Sequence, residues 1–317
     1  MLKTFYHPGF AAPIGAGHIM PMNKFALVAE ALQSDPDIQI LPPPPISEAD
    51  LLRVHSPAYI QAIQTGEPRP LAESQKFPWT PALYASVLLT NGGVLAAAQE
   101  ALSSGLSAAL ASGFHHSHHS RGEGFCTFNG LVVALESLKT CGKIQKAAVL
   151  DMDLHYGNGT AQLLHERSWI TALSIYGNDY WENTAYKDVT TLRHRDGNNH
   201  FSTPLPAGCD QKNLIRIMDH SLNILLKNGK PDILLYQAGA DPYYEDPYSP
   251  LALDHEDLFV RDCKVFDFCK SNGIPVAWVL AGGYTSDIYK VVKVHLNTFL
   301  AWKKVYGHRS SSCSVEI

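Results

Sequence analysis

Five short apolar runs, at residues 107–111, 147–150, 170–175, 233–236 and 275–280, set the rhythm of this chain. Each is four to six residues long and apolar almost throughout, the pattern of a strand buried on both faces. Between them, residues 82–102 are small and apolar, as a buried helix requires, and 129–138 and 160–165 predict two further helices. A short strand over 38–41 precedes the stiff proline run 42–45, and the Pro-rich polar stretch 65–81 predicts a loop. Strands alternating with helices imply βαβ units, hence an α/β fold with a parallel sheet and helices on both faces. With no internal repeat and no interdomain linker, one domain is expected over residues 1–307. The serine-rich segment 308–317 is expected to be a flexible tail.

Ligands of such sheets bind outside the carboxyl ends of the strands, and there the reactive residues collect. The first run is followed by His115 and His116, the second by Asp151, Asp153 and His155, the fourth by Asp241 and the fifth by Gly282, Gly283 and Tyr284; the third contains Ser174. Side chains two apart in an extended strand point the same way, so Asp153 and His155 can aim at one point. With Asp241 they make three oxygen and nitrogen ligands suited to zinc, leaving a fourth position open as catalytic sites do. A metal there would acidify a bound water and polarise a carbonyl. One of His115 and His116 suits a general base and acid, and Asp151 and Asn158 are available to orient it. Tyr284, after two glycines, can donate to an oxyanion. Singly, each residue has a plainer explanation as a turn or surface group. Their placement at the same end of successive strands outweighs it. His118 and His119, in the polar stretch 117–123, read as solvated loop residues outside the site.

Composition narrows the class. Hydrophobic residues make up 45% of the 317 residues and charged ones 17%, so a large core is expected and disorder is not. The net charge of −5 and the lack of a basic run argue against direct nucleic-acid binding. Six cysteines without a CxxC pair read as reduced thiols. The first residues lack an apolar signal core, and no apolar stretch approaches the roughly 20 residues of a membrane span. A cytoplasmic location, with no membrane partner, is the expectation.

Five segments in order, SGFHHS at 112–117, GFCTFN at 124–129, LDMDLHYGNG at 150–159, AGADP at 238–242 and LAGGY at 280–284, strongly resemble the zinc-dependent histone deacetylase superfamily. The likeness is to class II-like and bacterial deacetylases and their acetylpolyamine amidohydrolase relatives. It implies a single-domain arginase/deacetylase-like α/β fold with a central eight-stranded parallel sheet. It implies zinc on Asp153, His155 and Asp241, with His116 the principal acid/base, His115 its electrostatic partner and Tyr284 the carbonyl-polarising phenol. It pairs Asp151 with His115 and Asn158 with His116; Asn at 158 points to the class II-like or bacterial branch. Asp151 with Ser174 resembles the family's internal monovalent-cation site, usually potassium, completed by the carbonyls of Asp153 and His155. Gly124 and Phe125 match one wall of the acyl-lysine tunnel, and Tyr180 or Trp181 the other.

Two departures stand out. Tyr248, on the substrate rim, stands where many members have an aliphatic residue and class II-type polyamine deacetylases have a glutamate. That weakens the polyamine reading, although Glu245 and Asp246 nearby could attract a cation. The segment His18-Ile-Met-Pro-Met-Asn-Lys24 replaces the usual His-Pro-Glu-x-Pro-x-Arg and leaves the acyl preference open. The implied activity is zinc-dependent hydrolysis of Nε-acyl-lysine in an acetylated protein or peptide, releasing acetate and free lysine; the alternative is an acetylpolyamine amidohydrolase. An arginase-like manganese ureohydrolase would leave His116 and Tyr284 without a purpose. A silent acyl-lysine binder would not need the complete set.

Overall fold

The computed structural model describes residues 1–15, 18–178 and 199–307. Eight strands form one sheet: β1 (Leu2–Phe5), β2 (Ile38–Leu41), β3 (Leu106–Ala109), β4 (Ala147–Asp151), β5 (Ile170–Tyr176), β6 (His200–Pro204), β7 (Ile233–Ala238) and β8 (Val276–Leu280). Their order is β2-β1-β3-β8-β7-β4-β5-β6, and every neighbouring pair is parallel. This is the single-domain, eight-stranded parallel sheet that the motif resemblance implies.

Strand periodicity divides the core in two. In β8, Val276, Trp278 and Leu280 face one apolar cluster while Ala277 and Val279 face the other; β4 splits the same way, Ala148 and Leu150 against Ala147 and Val149. The first cluster packs on the helices Lys24–Leu32, His255–Asn272 and Ile288–Tyr306, the second on Pro57–Thr65, Pro81–Ser104 and Gly130–Thr140. Because both faces are covered, β4, β5, β7 and β8 are buried at every position and mostly apolar, which is why they read as near-continuous runs.

The helix Pro81–Ser104 opens on Thr80, whose hydroxyl accepts the Leu83 N–H, and closes on Gly105 at φ 89°. By length and composition alone it could cross a membrane, but 61% of its most apolar stretch is buried in the protein core. The helix expected from residue 160 begins at Asn158 and finishes in a 3-10 turn, Leu164–Glu166. The stretch 65–81 contains a one-turn helix, Arg69–Ala72. The tail 308–317 lies outside the described residues, as do Tyr180 and Trp181.

One buried network ties the helix His255–Asn272 to the strand ends. Asp262 accepts from Arg261 Nε at 2.8 Å, from the Tyr236 hydroxyl at 2.5 Å and from the Thr298 hydroxyl at 2.6 Å. Arg261 Nη1 in turn donates to the carbonyls of Gly239, at 2.7 Å, and Met152, at 3.3 Å. Those two carbonyls lie just beyond β7 and β4, so the guanidinium clamps the two loops that carry Asp241 and Asp153.

Candidate active site

The order β3-β8-β7-β4 sets four strand ends side by side, and the residues beyond them converge. Asp153, His155 and Asp241 are all buried, with one ligand atom from each lying within 4.8 Å of the others. His155 Nδ1 is 3.1 Å from Asp153 Oδ1 and 3.2 Å from Asp241 Oδ2. Backbone groups hold the carboxylates in place: Leu154 N–H donates to Asp241 at 2.9 Å and Gly282 N–H to Asp153 at 2.8 Å. Burial, with Asp153 alongside, pushes the Asp241 carboxyl up to about 6. Two buried carboxylates facing one imidazole are costly unless a cation joins them, and two oxygens and a nitrogen form a donor set that fits zinc. Residue 282 must be glycine for this geometry, since a Cβ there would stand 1.8 Å from Asp241 Oδ2.

The paired histidines lie against this cluster, their ring centroids 3.9 Å apart. His115 Nδ1 is 2.7 Å from Asp151 Oδ2, and His116 Nδ1 is 2.7 Å from Asn158 Oδ1. The Asn158 oxygen also accepts Gly159 N–H at 3.0 Å. An atom that accepts from a backbone amide is the oxygen, so His116 must donate from Nδ1, which puts its basic lone pair on Nε2. Burial, then the neighbouring His115 and His155, hold the His116 pKa well below the ordinary imidazole value. His115 differs: burial pulls it down, but Asp151 and Asp153 outweigh that and raise its pKa. Asp151 also has Ser174 as its register partner across β4 and β5, and both are buried.

Tyr284 opens onto the same space, with its ring centroid 6.3 Å from His155, 6.2 Å from Phe125 and 5.5 Å from Tyr248. Burial of its hydroxyl, with Asp241 and Asp153 near, pushes its pKa well above the usual phenol value and keeps it a donor. Two residues given no individual role by the sequence hold the Tyr284 loop. Asp246, itself buried, accepts Tyr284 N–H at 2.7 Å and Tyr248 N–H at 3.0 Å. The Lys24 ammonium donates to Ala281 O at 2.7 Å and lies 5.5 Å from the Tyr284 ring centroid. Burial brings the Lys24 pKa down to about 8, against the pull of Asp241, Asp153 and Asp246.

The mouth of the site is aromatic. Phe125, at φ 64°, stacks on Phe77 at 5.4 Å and meets His18 edge-on at 5.0 Å. Gly124 and Phe125 line the cavity with His116 and Tyr284, and Tyr248 stands beside it, 5.9 Å from His155. Phe77 lies in no motif, and its approach with His18 to the mouth is visible only in three dimensions. The rim carboxylates are engaged. Glu245 pairs with Lys290 and accepts from the Tyr243 hydroxyl at 3.1 Å and the Tyr244 hydroxyl at 2.8 Å, and Asp246 is the anchor just described.

The loop 117–123 corrects an expectation. His118 is buried rather than solvated, with Nδ1 2.9 Å from Gln162 Oε1 and Nε2 2.6 Å from Glu123 Oε2. It braces the loop that leads to Phe125. His119 is exposed, as expected, although its Nδ1 contacts Val54 O at 2.7 Å.

The histone deacetylase domain family matches residues 18–299. An uncharacterized protein of Picosynechococcus sp. is 32% identical over 305 residues, covering 95% of this chain and 98% of that protein. Histone deacetylase 2 of Arabidopsis thaliana is 26% identical over 285 residues, 87% of this chain and 72% of that protein. Among solved structures, the acetylpolyamine aminohydrolase from Burkholderia pseudomallei has a TM-score of 0.76 at 20% identity, covering 96% of this chain and 99% of that chain; the likeness is one of fold.

Proposed function

The chain belongs to the histone deacetylase domain family of hydrolases, and from that premise we propose that it is a zinc-dependent deacylase of Nε-acyl-lysine in proteins or peptides. One observation carries the reading: the buried Asp153, His155 and Asp241 trio lies against His116 and Tyr284, and Asp153, His116 and Tyr284 line one cavity with Phe77 and Phe125. An apolar channel with a few convergent polar groups at its base suits an aliphatic lysine stem whose amide must reach those groups.

A zinc ion on the trio would polarise the acyl carbonyl and acidify the attacking water. His116, neutral at pH 7, takes a proton from that water at Nε2 and returns it to the leaving amine. Asn158 fixes the tautomer that makes this possible. His115, held by Asp151, adds positive potential beside the reacting centre. The Tyr284 hydroxyl donates to the carbonyl oxygen as negative charge develops there. The water oxygen bonds to the acyl carbon, the C–N bond breaks, and a carboxylate and a free lysine amine leave. A potassium ion beside Asp151 and Ser174 is proposed as structural support below the site.

The polyamine alternative needs a carboxylate turned to the substrate's second cation. Glu245 and Asp246, the candidates at the rim, are occupied by Lys290 and by two backbone amides. Amine release from an acyl-lysine peptide and from N-acetylspermidine, measured side by side on zinc-loaded protein, tests the choice. Faster peptide turnover is expected; faster acetylspermidine turnover would overturn the peptide reading.

A further inference from the structure

Tyr284 ends a loop that has little of its own to hold it. Residues 281–285 form neither helix nor strand, and Gly282 and Gly283 bring no side chains. The hydrogen bonds that pin the loop come from elsewhere in the chain. Lys24 donates to Ala281 O at 2.7 Å and Ala240 N–H to Gly282 O at 3.0 Å, while Gly282 N–H reaches Asp153 at 2.8 Å and Tyr284 N–H reaches Asp246 at 2.7 Å. Of these four, only the bond to Asp246 is made by Tyr284 itself.

Asp246 is itself firmly seated. Its backbone N–H donates to Tyr243 O at 2.9 Å, its carbonyl accepts Ser249 N–H at 3.0 Å, and the Ser249 hydroxyl donates to Pro242 O at 3.2 Å. The two carboxylate oxygens divide their partners: Oδ2 takes the Tyr284 amide, and Oδ1 takes the Tyr248 amide at 3.0 Å. The residue is 1% exposed. Burial, with the Asp241 charge alongside, pushes its pKa up to about 7. A buried carboxylate beside another opposes folding, and groups perturbed in this way concentrate where a site uses them. Here the carboxylate joins the two loops that carry the rings of Tyr248 and Tyr284, whose centroids lie 5.5 Å apart at 86°.

We propose that Asp246 is a positioning residue for Tyr284: by holding the Tyr284 amide, its carboxylate fixes where the phenol hydroxyl meets the reacting carbonyl. The inference rests on the deacylase reading for the part that Tyr284 plays, and it gives Asp246 no contact with substrate. The hydroxyl acts only if it is aimed at the oxygen on which charge develops, and a misplacement of about 1 Å in such a group can lower the rate a hundredfold.

The test is a double-mutant cycle on full-length, zinc-loaded protein with an acetyl-lysine peptide. Asp246→Asn keeps the shape of the side chain but turns an NH2 group towards one of the two amides. It is expected to lower kcat by about tenfold, to leave KM within about twofold and to keep a full equivalent of zinc. In a Tyr284→Phe background the same change is expected to alter kcat by less than about twofold, because the hydroxyl it places is gone. Equal losses in the two backgrounds would overturn the inference and leave the deacylase reading standing. If the protein cleaves N-acetylspermidine and not the peptide, the peptide reading fails and the same cycle on acetylspermidine decides the role of Asp246. Cleavage of neither would overturn both. Amide exchange in the unaltered protein, isotopically labelled at tyrosine, does not depend on Asp246→Asn folding: slow exchange at Tyr284 and Tyr248 is expected, and exchange as fast as in an open loop would overturn the anchor.

Discussion

His116 Nδ1 lies 2.7 Å from the Asn158 amide oxygen, a neutral acceptor where a carboxylate would favour the imidazolium. With no charge at that position, burial and the neighbouring histidines hold the His116 pKa well below 6.5. Asn158→Asp supplies the missing charge and raises that pKa. Because the neutral imidazole is the active base, the acid limb of the kcat/KM profile is expected to move to higher pH by about one unit. A pH–rate profile of the variant checks this, and an unmoved acid limb would remove His116 from the role of base.

Tyr284→Phe deletes one hydroxyl and leaves the ring between Phe125 and Tyr248. Turnover is expected to fall about a hundredfold or more, on the scale of losing one oxyanion donor, with KM changed little. Steady-state kinetics on an acyl-lysine peptide decide it. Wild-type turnover would show that the phenol takes no part.

Gly282→Ala would set a Cβ 1.8 Å from Asp241 Oδ2 and 2.7 Å from Asp153 Oδ2. The carboxylates would be driven off their common point, so bound metal and activity are expected to disappear together while the far-UV spectrum persists. Metal analysis of the purified variant is the check; a full equivalent of bound metal would contradict the packing described.

Asp262→Asn leaves the Arg261 guanidinium buried without its counter-charge. A loss of about 3–5 kcal/mol in unfolding free energy is expected, as for other broken buried pairs. Denaturant titration measures it, and a change below about 1 kcal/mol would mean that the network contributes little.

The convergence of the metal trio and the paired histidines is legible in the sequence because each member directly follows an apolar run, and parallel strands deliver such residues to one edge. Asp153 and His155 converge as expected, but not by strand periodicity: β4 ends at Asp151, and both lie in the bend beyond it. β1 and β6 are not legible in that way: Thr4 and Lys3 interrupt the first, and β6 is an edge strand whose HFSTP carries no continuous apolar signal. Lys24 meets Ala281 across a separation of 257 residues, so no local pattern announces it. Asp246 reads as a rim charge until the fold turns it inward onto two amides. His118 reads as solvated because its partner Gln162 is supplied by a helix 44 residues away. In each case the missing information is a long-range contact.

The account depends on a metal at Asp153, His155 and Asp241, and turnover of an acyl-lysine peptide before chelation, after chelation and after titration with zinc tests it most directly. The account predicts that chelation abolishes turnover, that about one equivalent of zinc per chain restores it, and that Asp241→Ala neither binds the metal nor recovers. Undiminished turnover in protein shown to be free of metal would contradict it.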